Sequence, residues 1–301
     1  MDNENSSASA ELNKVRVFAS RLLSSLFLYS ILYLGLFAPN KTVALISFGA
    51  CMILLAGFAL YELFNLARKC GLACFPHFGL VAGILLVSTD YCVLGILKKP
   101  PLAEQIEFGT LILLIPALGL CQLFDSAKKL KSSSIAVTLF GVVYVGVMIN
   151  LMQKIRFAEN IQGEWWLLFF ILTSKMSDTG AYCVGSLFGK HKMIPNISPG
   201  KTWEGFGGAL IFSTVTSVTF YYFEGVYHEN FNIIAAFGLG LMLGLGSVIG
   251  DLVESIFKRQ ADVKDSGNYF PGIGGILDLM DSLLFNAPLM FLYMRYGLGA
   301  L

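Results

Sequence analysis

GLGLMLGLGSVIGDLVES, residues 238–255, decides the fold. No charge interrupts the run until Asp251, and Glu254 follows three residues later. A helix that crosses a bilayer needs about 20 mostly apolar residues. Extended back to Phe231, this stretch supplies them and puts its first carboxylate at the end. It reads as a membrane helix whose charged end meets water.

Outward from this run the pattern repeats. Apolar segments fall at roughly 18–38, 42–64, 78–97, 107–124, 134–152, 165–187, 205–223, 231–250 and 276–296. The chain is 55% hydrophobic and 14% charged, whereas soluble domains are about 25% charged. The expected fold is all-α, a polytopic integral membrane protein with about nine transmembrane helices. A net charge of +1 and the lack of a long basic block exclude nucleic acid as a partner. Residues 1–13, MDNENSSASAELN, have no basic segment, and no small-residue cleavage site follows the first apolar run. An uncleaved first helix behind a disordered tail is therefore expected.

The expected organisation is a polar cytoplasmic tail over 1–16, a transmembrane scaffold over 17–160 and a second transmembrane region with cytoplasmic loops over 161–301, where the charges concentrate. The six cysteines lie mostly in apolar runs, where they act as small hydrophobes. Cys70, Cys74 and His77 lack a fourth ligand and a zinc spacing. With a cytoplasmic amino terminus, basic residues at 14–21, 68–69, 128–131, 190–201 and 258–264 fall inside. They outnumber those outside, at 41, 98–99, 154–156 and 295, about two to one, as the positive-inside rule requires. The loops at 188–204 and 251–275 then face the cytoplasm.

Ionisable groups in spanning segments are costly and mark function by default. Lys175 and Asp178 lie three apart in TSKMSDTGAY, as do Asp251 and Glu254, and Asp278 and Asp281 in ILDLMDSLL. The last pair has no cation between its members, so a proton or a hard divalent ion is the natural third party. Gly240 with Gly244, and Gly246 with Gly250, let their helix approach its neighbours closely, which would bring Asp251 toward Asp278 and Asp281. Lys190, Lys192, Lys201, Lys258, Arg259 and Lys264 surround these carboxylates and suit a polyphosphate or an anionic headgroup. PGKT at 199–202 is not a P-loop, because Pro195 stands where that motif needs glycine. Ser198 or Thr202 is placed to cap the following helix. Glu62, Asp90 and Asp125, near helix ends in the first half, are expected at the water interface.

The second half resembles the phosphatidate cytidylyltransferases, also called CDP-diglyceride synthases. Ser255, Lys258, Arg259, Lys264, Asp265, Pro271, Gly272, Gly274, Gly275, Asp278 and Asp281 stand in register with that family's signature. The block SDTGAYCVGSLFGKHKMIPNISPGKTWEG, from Ser177, is similar to its second motif. The likeness covers about 174–290, with two departures: Ile273 replaces the usual His and Leu279 the usual Arg.

The resemblance implies transfer of the cytidylyl group of CTP to phosphatidate, giving CDP-diacylglycerol and pyrophosphate. It implies catalytic roles for Asp251, Asp278, Asp281, Lys258 and Asp265, with Asp251, Asp278 and Asp281 holding Mg²⁺ and a second cation bridging. Substrate contacts fall to Asp178, Ser198, Lys201, Thr202, Arg259 and Lys264. The expected partners are CTP, phosphatidate in the bilayer and a second copy of the chain. In a bacterium the location is the inner cell membrane, with the site facing the cytoplasm. A CTP-dependent lipid-alcohol kinase and a polytopic transporter are the alternatives; the latter predicts inverted repeats and midplane charges, and no repeat is visible.

Overall fold

The computed structural model describes residues 30–124, 133–223, 226, 228–267 and 274–301. Of the first expected helix, residues 30–38 fall within that set, and 30–37 are helical. Among the described residues, eight long helices follow. α1 (Lys41–Lys69) is capped by Asn40, whose Oδ1 accepts from Thr42 N at 2.9 Å, and it ends on Arg68 and Lys69, which suit the negative end of the helix dipole. α2 (Pro76–Leu97), α3 (Pro100–Phe124) and α4 (Ser133–Arg156) complete the first half. α5 (Gly163–Phe188) leads to a two-stranded antiparallel hairpin, β1 (Lys192–Ile194) and β2 (Ser198–Thr202). α6 (Trp203–Tyr221), α7 (Ile233–Gln260) and α8 (Ile276–Leu298) follow.

Six of these, α1 to α4, α7 and α8, are long and apolar enough to cross a membrane, so this is a helical membrane protein. α5 and α6 are set apart by polarity rather than length: Ser174, Lys175, Ser177 and Asp178 interrupt the first, Ser213, Thr214, Thr216 and Ser217 the second. The helix bounds follow the apolar runs closely, with one large difference. α7 continues to Gln260 instead of ending near 250, because Glu254 and Lys258 pair one turn apart and basic residues close the last turn. Asp251, Glu254 and Lys258 therefore share a helix face rather than a loop. Among the described residues, this hairpin is the sheet that departs from the expected all-α chain.

Small residues set the helix spacing. A Cβ on Gly180 would lie 2.5 Å from the carbonyl oxygen of Gly208, which joins α5 to α6. Gly240 and Gly244 face α6, whereas Gly246 and Gly250 face α8; a Cβ on Gly250 would sit 2.7 Å from Asp281 O. This contact holds the carboxylate-bearing parts of α7 and α8 side by side.

Two expectations about the first half need correcting. Glu62 and Asp90 are not at the water interface but buried, 1% and 3% exposed. Asp90 shares the interior with a Lys154–Glu107 ion pair, while Glu62 is drawn inward by backbone donors described below. Buried charge is thus not confined to the second half. Asp125 lies outside the described residues.

Candidate active site

Two charged groups form where α5, α7 and α8 meet. In the first, Lys175 Nζ lies 3.2 Å from Asp178 Oδ2 and 3.9 Å from Asp281 Oδ1, and donates to Ser282 Oγ at 2.9 Å. Ser282 Oγ in turn donates to Asp178 Oδ2 at 3.1 Å. Lys175 and Asp178 do pair within their helix, but the same lysine also reaches across to α8. Below them Asn286 Nδ2 is 2.9 Å from each of Ser174 Oγ, Ser247 Oγ and Leu243 O, so a buried polar seam binds α5, α7 and α8.

Beside this group Lys201 Nζ, on β2, lies 2.9 Å from Asp251 Oδ2 and donates to Val248 O at 3.1 Å. A cleft of about 290 Å³ opens here, lined by Asp178, Ser198, Lys201, Thr202 and Asp251 together with Tyr182 and Phe206. Four residues expected to bind substrate and one expected to be catalytic therefore share one cavity. Thr202 is the N-cap of α6, its Oγ1 accepting from Gly205 N at 3.1 Å.

The hairpin is pinned to the helices from both sides. Glu204, just before the apolar segment of α6, accepts from Lys190 N at 3.1 Å and His191 N at 3.2 Å, and its Oε1 is 2.6 Å from His191 Nδ1. The bond to His191, with these backbone donors, holds the Glu204 carboxyl down at about 2. Arg259 donates to Ile197 O at 3.0 Å, so it ties the end of α7 to the hairpin.

The second group centres on Lys258, which lies 2.8 Å from Asp278 Oδ1 and 3.2 Å from Glu254 Oε2. Asp278 Oδ2 accepts from Gly275 N at 2.8 Å and from Ser266 N and Oγ at 2.9 Å each. From the third position of α8, the Asp278 side chain thus reaches back to the N–H of the N-cap residue Gly275. Lys264 and Asp265 are exposed beside Ser266. Pro271, Gly272 and Ile273 lie outside the described residues; Leu279 lies in the first turns of α8.

The three aspartates expected to hold Mg²⁺ fit a hard cation unequally. Both oxygens of Asp278 are already used by the start of α8 and by Lys258. Asp251 and Asp281 each face a lysine and accept one further bond, Asp251 Oδ1 from Ser255 Oγ at 3.4 Å and Asp281 Oδ1 from Ser282 N at 2.5 Å, and Asp281 lies within Coulombic reach of Asp178 and Asp251. Among the described residues, no three acidic, His or Cys side chains are gathered closely enough to hold a metal.

Of the residues that support the site, Glu62 was expected at the water interface, and nothing in the sequence pointed to Ser266 or Ser282. Gly275 was the available signal: a helix whose N-cap has no side chain needs its acceptors from elsewhere.

Residues 19–297 match the model of the Cytidylyltransferase family. The chain belongs to that family. A phosphatidate cytidylyltransferase of Staphylococcus aureus (strain COL) is 41% identical over 165 residues, 55% of this chain and 61% of the relative. One of Staphylococcus haemolyticus is 40% identical over 165 residues with the same shares, and one of Chlamydia pneumoniae 38% identical over 165 residues, 52% and 53%. The match thus spans 53 to 61% of the length of these curated relatives.

Proposed function

We propose that this protein transfers the cytidylyl group of CTP to phosphatidate, giving CDP-diacylglycerol and pyrophosphate. The observation that carries the reading is the cleft in which Lys201, Asp178 and Asp251 meet Ser198 and Thr202 in a cytidylyltransferase-family chain. The names of the relatives support the same substrates.

In the reaction a phosphate oxygen of phosphatidate attacks the α-phosphorus of CTP. A new P–O bond forms, the bond to the β-phosphate oxygen breaks, and its electron pair leaves with pyrophosphate. The nucleophile is already an anion and needs no general base, so the protein's task is to hold two anions together. Lys201, paired with Asp251 in the cleft, can turn to phosphate oxygens when nucleotide arrives. Lys258, Arg259 and Lys264 at the end of α7 and beyond suit the headgroup or the leaving group. Asp178, Ser198 and Thr202 shape the nucleotide end. Asp251 and Asp281 would hold Mg²⁺, with a second cation beside it, and Asp278 would join only by leaving Lys258. Bound there, the cation would neutralise charge on the leaving phosphates.

Alternation from a cytoplasmic amino terminus puts the cleft and both charged groups on the cytoplasmic side, where CTP from water meets lipid from the bilayer. The proposal keeps nine spans, a 17–160 scaffold, a 161–301 catalytic region, an inner-membrane location in a bacterium and a homodimer. Purified protein given CTP, Mg²⁺ and phosphatidate vesicles tests the reaction. Phosphatidate-dependent pyrophosphate release is expected, whereas release of CDP in a parallel reaction with diacylglycerol vesicles, the lipid alcohol taking the γ-phosphoryl group, would return the kinase reading.

A further inference from the structure

We propose that Glu62 is a positioning residue for the active site: from α1 it clamps the first turn of α8, the helix that carries Asp278 and Asp281. The purpose of the clamp rests on the cytidylyl-transfer reading; the clamp itself rests on geometry alone.

A helix leaves its first N–H groups without intrahelical acceptors, and α8 begins after Gly275, which has no side chain to offer one. Asp278 Oδ2 takes the N–H of Gly275. Glu62 takes the next two, Oε1 accepting from Ile276 N at 3.1 Å and Oε2 from Leu277 N at 2.7 Å. Ser266 Oγ lies 3.0 Å from Glu62 Oε2 and 2.9 Å from Asp278 Oδ2, so one hydroxyl stands between the two carboxylates.

Glu62 is 1% exposed and is the one acidic residue of α1. A carboxylate so placed is costly unless it is hydrogen-bonded, and here the donors and the positive end of α8 compensate it. The glycine turn leaves room for it: a Cβ on Gly275 would lie 2.5 Å from Glu62 Oε2.

Two consequences follow for the chemistry. The N-terminus of α8, otherwise a ready anion site, is filled by protein carboxylates, so substrate phosphates must be held by Lys201 and the other cations instead. Asp281 also depends on the clamp for its place opposite Lys175, because it lies little more than a turn beyond the clamped amides.

The test compares Glu62→Ala and Glu62→Gln with wild type in detergent by hydrogen exchange over 274–284 and by steady-state kinetics. In E62A exchange at Ile276 and Leu277 accelerates, and kcat falls about 10- to 100-fold while KM for CTP stays within about twofold, as misplacement without lost binding predicts. E62Q, which keeps one acceptor oxygen, falls between and serves alone if E62A does not fold. A wild-type kcat in the folded variants overturns the proposal, even if exchange accelerates, and so does unchanged exchange. If wild type itself makes no CDP-lipid, the cytidylyl-transfer reading fails. The exchange result then still decides the clamp: faster exchange supports it and unchanged exchange overturns it.

Discussion

Glu62 Oε2 and Leu277 N are joined by a 2.7 Å hydrogen bond across 215 residues of sequence. The bond fastens a helix of the amino-terminal half to the helix that presents the candidate catalytic carboxylates. The first half is therefore part of the site's support and not only a membrane scaffold, and the site's residues divide into those that hold α8 and those that face the cleft.

Asp278 helps to hold the start of α8, whereas Asp281, three residues on, is turned toward Lys175. Asp278→Asn leaves one acceptor oxygen where Asp278 now uses two, one for the start of α8 and one for Lys258, and so breaks a buried ion pair, which costs about 3–5 kcal/mol. Thermal unfolding in detergent should show D278N less stable than D281N, and the reverse order would contradict this role of Asp278.

The cleft makes a different demand on Lys201 and Asp251. Lys201→Ala is expected to raise KM for CTP and lower kcat/KM about 10²-fold, the scale for loss of one charge-stabilising group. Asp251→Asn and Asp281→Asn should raise the Mg²⁺ concentration needed for half-maximal rate, whereas Asp278→Asn should not. An equal shift in all three would place Asp278 among the metal ligands.

Gly250 faces α8 and Gly238 faces open space. Gly250→Leu should separate α7 from α8 and destabilise the protein by about 1–3 kcal/mol, the usual cost of overpacking. Gly238→Ala should leave the unfolding temperature unchanged or raise it, since alanine is the better helix former. Equal effects would show that the α7–α8 contact does not set the spacing.

The Glu204 carboxyl, held at about 2 from an ordinary 4.5, is a depressed acid. Its contribution to anchoring the hairpin is present above the ordinary value and is lost as pH falls toward the folded one. Protease sensitivity over 190–202 should therefore stay flat between pH 5 and 8 and rise only in the acid range. Glu204→Gln should raise it already at neutral pH.

The apolar runs made the helices legible, since length and composition alone decide whether a segment can span. The polar hairpin and the extension of α7 to Gln260 were not legible, because they depend on pairings such as Glu204 with His191 and Glu254 with Lys258. Lys201, Asp178 and Asp251 could be singled out as charges in a greasy chain, and the structure places them on one cleft. Glu62 looked like an interfacial acid because nothing local to YELFN shows that the amides of Ile276 and Leu277 lie against it. Long-range partners of buried carboxylates are what a single sequence hides.

The most direct measurement uses CTP labelled at the α-phosphate in one reaction and at the γ-phosphate in another, each with purified protein, Mg²⁺ and phosphatidate. Label from the α position alone should enter the chloroform-soluble lipid, and Asp281→Asn should abolish it. Lipid labelled from the γ position, or from neither, would contradict cytidylyl transfer.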